Sequence, residues 1–195
     1  MALLFSADTH FSHINIIRYC NRPFLKPGDL DKDSKWVSKE VAIKRTRKMN
    51  KVLIRNWNQR VKPCDTVIHI GDFCFCRGRA GSDQKAKYWE EKLNGDIVHI
   101  NGNHDKNNGV DSLDSAIVSF GNHTFYLVHV PPKYEQIPNE CDGVLCGHVH
   151  EKWLWENRFN IPVINVGVDQ WKFMPVKKVE ILKLYEKIKN ANSFN

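Results

Sequence analysis

Short apolar, β-branched runs that break at an Asp, His or Asn constrain this chain more than any other feature. Ala2–Ala7 runs into Asp8 and His10, Thr66–Ile70 into Gly71-Asp72, and Asp96–Ile100 into Asn101-Gly102-Asn103-His104-Asp105. His123–Val130 carries His129 near its end, and Gly143–Cys146 opens onto Gly147-His148-Val149-His150. Runs of this length and composition predict strands. Helical patterns between the first of them point to an α/β fold with much of its sheet in one direction. In such a sheet the strand ends on one edge converge, and ligands collect there. Five strand ends that each deliver Asp, His or Asn describe a metal site more readily than five unrelated loops.

The segments between the strands are less sharply written. Residues 12–20 predict a short helix stopped at Asn21-Arg22-Pro23, and 23–33, with Pro23, Pro27, Gly28 and three Asp, a loop. The strongest helix is expected from an N-cap at Asp33 or Ser34 to about Arg60, with a break near 42–46 as an alternative. Residues 83–94 predict another helix, closed by Gly95. Pro162–Val166 and Val176–Leu184 are the last two expected strands. No repeat or linker divides the chain, so one domain over 1–186 is expected, followed by a polar C-terminal tail, 187–195.

Composition narrows the setting. No run approaches the roughly 18 apolar residues of a membrane span, and the opening MALLFSADTH lacks a basic leader. A cytoplasmic protein with no membrane partner is expected. The six cysteines are irregularly spread, which predicts reduced thiols rather than a disulfide framework; Cys74-x-Cys76 is the one spacing worth checking. Net charge is +7, and it is local: Lys35 to Lys62 holds ten basic residues and one acid, Glu40, a balance of +9 that leaves −2 elsewhere. This helix, 35–62, is where a nucleic-acid backbone would bind; the plainer reading is a solvated helix face.

Carboxylate, imidazole and amide oxygen form a donor set suited to Mn²⁺, Fe, Zn²⁺ or Ni²⁺. Seven candidates are present: Asp8, His10, Asp72, Asn103, His129, His148 and His150. One cation needs about four to six donors, whereas two cations sharing a carboxylate use seven naturally, and such pairs assist in-line displacement at phosphorus.

Asp8-x-His10, Gly71-Asp72, Gly102-Asn103-His104-Asp105, His129 and Gly147-His148-x-His150 resemble, in order, the motifs of the calcineurin-like metallophosphoesterase superfamily. Asp8 through Ile17, Asn21-Arg22-Pro23-Phe24 and Asn165-Val166-Gly167-Val168-Asp169 further resemble a small bacterial and phage branch of it. The resemblance implies a two-sheet α/β/β/α sandwich in a single domain, and two divalent metal ions, manganese foremost. It implies Asp8, His10 and His150 on the first metal, Asp72 bridging, and Asn103, His129 and His148 on the second. His104 would face the phosphate as a catalytic residue, with Asp105 orienting it. The implied function is hydrolysis of a phosphodiester (a nucleotide, cyclic nucleotide or nucleic-acid end) by attack of a metal-bridging hydroxide. A phosphomonoesterase is the close alternative, and a non-catalytic scaffold on the same fold a further one.

Other residues carry weaker signals. His69 and His99, inside strands, are expected to be core histidines. His13 is placed either at the cleft rim, touching substrate, or at a plain helix start. Arg22, extended by the following proline, is a candidate fork on a substrate phosphate oxygen; the alternative is a loop arginine in solvent. Asp169 stands either behind the site or merely at a strand end. The sequence leaves the oligomeric state open.

Overall fold

In the computed structural model, which describes residues 1–75, 85–105, 109 and 111–192, the alternation along the first strand sets the layering. Strand β1 (Leu3–Ser6) turns Leu4 to one side and Phe5 to the other, and both are fully buried. It is followed by α1 (Ile16–Tyr19), α2 (Lys39–Arg60), β2 (Thr66–Ile70), α3 (Ala86–Glu90), β3 (Asp96–Ile100) and the two-residue β4 (Ser112–Leu113). Strands β5 (Ala116–Phe120), β6 (His123–Leu127), β7 (Gly143–Cys146), β8 (Trp155–Arg158) and β9 (Ile161–Asn165) come next, with a 3₁₀ turn at Tyr134–Gln136. Strand β10 (Val176–Lys177) and α4 (Lys178–Asn192) complete the described chain.

Two five-stranded sheets result, ordered β10-β1-β2-β3-β4 and β5-β6-β7-β9-β8. In the first, β1 to β4 are parallel and β10 is antiparallel to β1. In the second, β6, β7 and β9 are parallel and the outer strands are antiparallel. Leu4 and Val67 pack with Phe11, Ile17, Met49, Leu53 and Trp57 under the helices α1 to α3. Phe5, Ile68 and Ile70 pack against Phe125, Leu127, Leu145 and Ile164 of the facing sheet. The far face of the second sheet buries Val144, Cys146 and Val163 beneath Ile137 and Cys141. The expected mixed α/β, two-sheet, single-domain architecture is what the chain forms.

Three expectations are corrected. The segment 176–184 is not a strand: only Val176–Lys177 pairs, and α4 follows. Ile181, Tyr185 and Ile188, four and three residues apart, form a buried helical stripe that joins the inter-sheet core. The same stripe carries helix past residue 187 to Asn192, where a polar tail was expected. Helix α2 starts at Lys39, not near Ser34. Before it, the Asp31 carboxylate accepts the backbone N–H groups of Asp33 and Lys35 in a closed turn. Ser38 is the cap, its hydroxyl accepting from the Val41 N–H at 3.2 Å. From there the helix runs unbroken, because Ala42, Thr46, Met49, Leu53 and Trp57 keep one face buried. Residues 83 and 84 of the expected 83–94 helix lie outside the described residues; Ala86–Glu90 is helical.

Candidate metal centre

The parallel pairing of β1 and β2 extends past the strands. The Asp8 N–H donates to the Gly71 carbonyl, the His10 N–H to the Asp72 carbonyl and the Phe11 N–H to the Phe73 carbonyl, each at 3.0 Å. The two loops that carry Asp8, His10 and Asp72 are therefore zipped side by side. The later loops are then locked on by side chains. The Asp8 carboxylate accepts the His148 N–H, at 3.0 Å to each oxygen, and Asp72 Oδ1 accepts the His104 N–H at 2.9 Å.

This crossing of loops explains the glycines of the motifs. A Cβ on Gly102 would lie 2.3 Å from the Asp72 nitrogen, and one on Gly147 2.7 Å from Asp8 Oδ2. Backbone strain gathers at the same place. Asp8, His10, Asp72, His148 and His150 all hold positive φ, between 48° and 71°. Each costs about 1–2 kcal/mol in an L-residue, and such strain persists where surrounding contacts enforce it, typically at functional sites.

The side chains converge as the spacing predicts. Ligand atoms of Asp8, His10 and His150 lie within 4.8 Å of one another, as do those of Asp8, Asp72 and His129. Asp72 Oδ2 stands 3.4 Å from His10 Nε2 and 3.3 Å from His129 Nε2, between the two groups. Asn103 Oδ1 is 3.1 Å from His129 Nε2 and 3.0 Å from His148 Nδ1. All seven expected donors are thus gathered where strand ends of the two sheets meet, Asp8, His10, Asp72 and Asn103 from the first and His129, His148 and His150 from the second.

The donor set fits divalent cations. His10 Nε2 is buried with no hydrogen-bond partner, a costly state for an imidazole nitrogen unless it ligates something. Burial, helped by Arg22, pushes its ring well below the ordinary 6.5, leaving it neutral. In His129, Nδ1 lies 2.9 Å from the Ile70 carbonyl, which fixes the proton there and turns Nε2 toward Asp72 and Asn103. Burial acts to lower this imidazole, but hydrogen bonding and charge from Asp72 and Asp8 outweigh it and raise the group to about 9 without metal. Burial likewise lifts the Asp8 carboxyl, against the pull of His150. A cation at these donors would favour the ionised Asp8 carboxylate and take the place of the proton on His129 Nε2.

Two sequence expectations are corrected here. Arg22 is no phosphate fork: its residue is 1% exposed. Nε and one terminal nitrogen hold the two Asp169 oxygens at 2.9 Å each, and the same terminal nitrogen donates to the Asp8 carbonyl at 2.7 Å. Asp105 turns to the backbone rather than to His104. Its Oδ2 accepts from Asp72 and Gly102 N–H and its Oδ1 from Phe73 N–H, at 2.6, 2.9 and 2.9 Å. It stitches the Asp72 loop to the Asn103 loop.

Asp169, for which the sequence left two places open, stands behind the site; its link to Arg22 is what the sequence did not show. Its Oδ2 lies 3.0 Å from His150 Nδ1, so one carboxylate links Arg22 to a candidate ligand. Burial acts to raise this carboxyl, but Arg22 and His150 outweigh it and hold it below the usual range. Asn165, fully buried, donates to the His150 and Trp153 carbonyls and fixes the same loop from beneath. The signal was the Asn165–Asp169 stretch, whose polar residues follow an apolar strand without an obvious partner.

His104 is exposed beside the cluster, its ring 5.5 Å from that of His10. His13 sits at the rim, stacked on Phe75 at 4.3 Å and 6.0 Å from the His104 ring; burial and the His104 charge push it down to about 4. His69 is buried against the Thr9 hydroxyl, 3.0 Å away, and His99 against Glu90, 2.7 Å away, as core histidines.

Comparison with known proteins settles the family. The model of the calcineurin-like phosphoesterase superfamily domain matches residues 1–186. The chain belongs to that superfamily. A calcineurin-like phosphoesterase domain thus spans both sheets and every residue of the cluster. The chain is also 35% identical over 193 residues to an uncharacterized protein of Methanocaldococcus jannaschii, covering 97% of this chain and 94% of the relative. It shares its fold with a protein of unknown function from Aquifex aeolicus, at a TM-score of 0.61 and 24% identity, covering 94% of this chain and 98% of that one. The superfamily's members are in general metal-dependent phosphoesterases, so the calcineurin-like domain supports a hydrolase with divalent metal in the Asp/His cluster.

Proposed function

We propose that this calcineurin-like protein is a dinuclear metal-dependent phosphodiesterase. The observation that carries the reading is Asp72 Oδ2 standing between His10 Nε2 and His129 Nε2, with Asp8 completing a triad on either side. Asp8, His10 and His150 would hold one cation, Asn103, His129 and His148 the other, and Asp72 would bridge. Manganese leads among the metals because the donors are oxygen and imidazole with no thiolate, and iron, zinc and nickel suit them too. When bound, the pair supplies an activated water near neutral pH and neutralises charge at phosphorus.

The protein's own groups do the rest. His104 is exposed and within one ring's reach of His10, positioned to donate a hydrogen bond to a phosphoryl oxygen or a proton to the leaving oxygen. His13, held by Phe75 and kept neutral near pH 7, would offer a rim contact to a substrate's ester group. Asp105 and Arg22 keep the loops from relaxing. Among the described residues Asn103 and His104 stand exposed, and such a rim suits a diester with a substituent on each side. Buried thiols at Cys20, Cys141 and Cys146 outside any disulfide support a reducing, cytoplasmic setting; Cys76 lies outside the described residues.

The test is turnover of bis-p-nitrophenyl phosphate against p-nitrophenyl phosphate on chelator-stripped protein reloaded with Mn²⁺. Diester hydrolysis that is faster, needs metal, and falls by about 10²–10⁴ in His104→Ala with metal still bound is the expected result. Faster monoester turnover would make the protein a phosphatase, and a fully active Asp72→Ala protein would remove the bridge.

A further inference from the structure

Helix α2 carries seven cationic side chains between Lys44 and Arg60 and no Asp or Glu. Two of them are neutralised in the fold: Arg45 grips Asp29, with contacts of 2.6 and 2.7 Å, and Arg60 pairs with Glu180. Lys44, Arg47, Lys48, Lys51 and Arg55 are exposed and form no ion pair among the described residues. On a helix these five share one side, and Lys44–Lys48, Arg47–Lys51 and Lys51–Arg55 are like charges four residues apart. Each such pair costs a helix about 0.2–0.5 kcal/mol. The fold keeps this repulsion on one stripe while supplying acids to the cations that point elsewhere.

The helix that carries the stripe also reaches a loop of the metal centre from its buried side. Asn50, one turn after Arg47, accepts the Ser12 N–H at 3.2 Å, two residues beyond His10. Lys44, Arg47, Lys48 and Lys51 line a surface groove of about 680 Å³ with Glu40 and Ile43. From Lys44 to Arg55 the helix rises about 17 Å, enough for about five phosphates of one strand at 3.4 Å each. The apolar side of α2 is spent in the core, through Met49, Leu53 and Trp57, so it offers no face to insert into a lipid surface.

We propose that the exposed basic stripe of α2 binds a nucleic-acid strand and leads it to the metal centre. This names the substrate class of the phosphodiesterase reading and rests on that reading for the chemistry, though not for the binding. The test is fluorescence anisotropy of a labelled single-stranded oligonucleotide, with metal removed by chelator and salt varied. Binding at low salt is expected, falling on a log–log plot with a slope of about −3, as four or five neutralised phosphates require. Lys44→Glu/Arg47→Glu/Lys48→Glu/Lys51→Glu should lose more than tenfold in affinity with unchanged circular dichroism; the matching Gln variant serves if the Glu variant misfolds. In Mn²⁺-loaded wild type, the oligonucleotide should raise the apparent KM for the small diester. Absent binding at low salt, binding equal in the variants, binding that leaves KM unmoved, or capture by anionic vesicles in place of the oligonucleotide would overturn the inference. Lack of small-diester turnover by the wild type counts against the phosphodiesterase reading alone, because the binding arm needs no metal.

Discussion

Asp169 illustrates how one carboxylate can govern a centre it does not join. It is 3.0 Å from His150 Nδ1 and accepts from Nε and one terminal nitrogen along a single edge of the Arg22 guanidinium. Such an outer partner fixes the tautomer and heading of a ligating imidazole, and its loss typically weakens metal binding about 10–100-fold. Asp169→Ala is therefore expected to lower the affinity for one of two cations by about that factor and to leave the other nearly unchanged, as read by calorimetric titration of stripped protein. Asp169→Asn, which keeps an oxygen toward His150, should restore part of it. Equal loss at both sites would mark Asp169 as a general structural support. The strained residues are also legible here: positive φ at five candidate donors means that the loops, not the strands, place the chemistry.

At the scale of elements, the cap of α2 matters because that helix serves both the core and the rim. Ser38 satisfies the Val41 N–H, and Asn50 reaches the Ser12 backbone from the middle of the same helix. Ser38→Ala should cost about 1 kcal/mol, seen as a lower urea midpoint with an unchanged slope; no shift would mean that packing by Met49, Leu53 and Trp57 alone holds the helix start. Sequence signals differ sharply between elements. Strands β1, β2, β3 and β7 were legible because a buried strand is a short apolar run with a polar stop. The two-residue β4, the edge strands β5 and β8, and the helical nature of 178–192 were not, since their identity depends on which neighbour offers a pairing edge or an apolar seat. Ile181, Leu182 and Leu184 satisfy either period over so short a span.

For the whole molecule, protonation and metal act in opposite senses. His69 and His10 are buried neutral, their rings held well below 6.5 chiefly by desolvation. Their folded values lie below the unfolded one, so the stability tied to them is complete above about pH 6.5 and is lost as pH falls below it. His129, raised to about 9, works the other way in metal-free protein: its contribution is present below about 6.5 and fades as pH rises toward 9. A cation must displace that proton, so metal affinity should climb across the same window. Thermal melts with and without Mn²⁺ should diverge as pH rises from 6.5 to 9, the loaded protein gaining about 2.7 kcal/mol at a hundredfold excess of metal over Kd. Curves that stay parallel would show that His129 is not at the metal.

What the sequence determined by itself was the set of candidate donors and their place just after strands, because coordination chemistry restricts residue types and a buried strand is a short apolar run with a polar stop. The superfamily motifs, their order and the α/β class followed from the same residues. Tertiary structure alone decided what stands behind those donors. Arg22 and Asp169 lie 147 positions apart, and only folding shows that the guanidinium is consumed inside the protein rather than offered to substrate. Asp105 was assigned to its neighbour in the chain but spends its oxygens on loops brought in from elsewhere. Hydrogen-bond partners and burial are properties of space, and a one-dimensional pattern records them only where spacing and periodicity repeat.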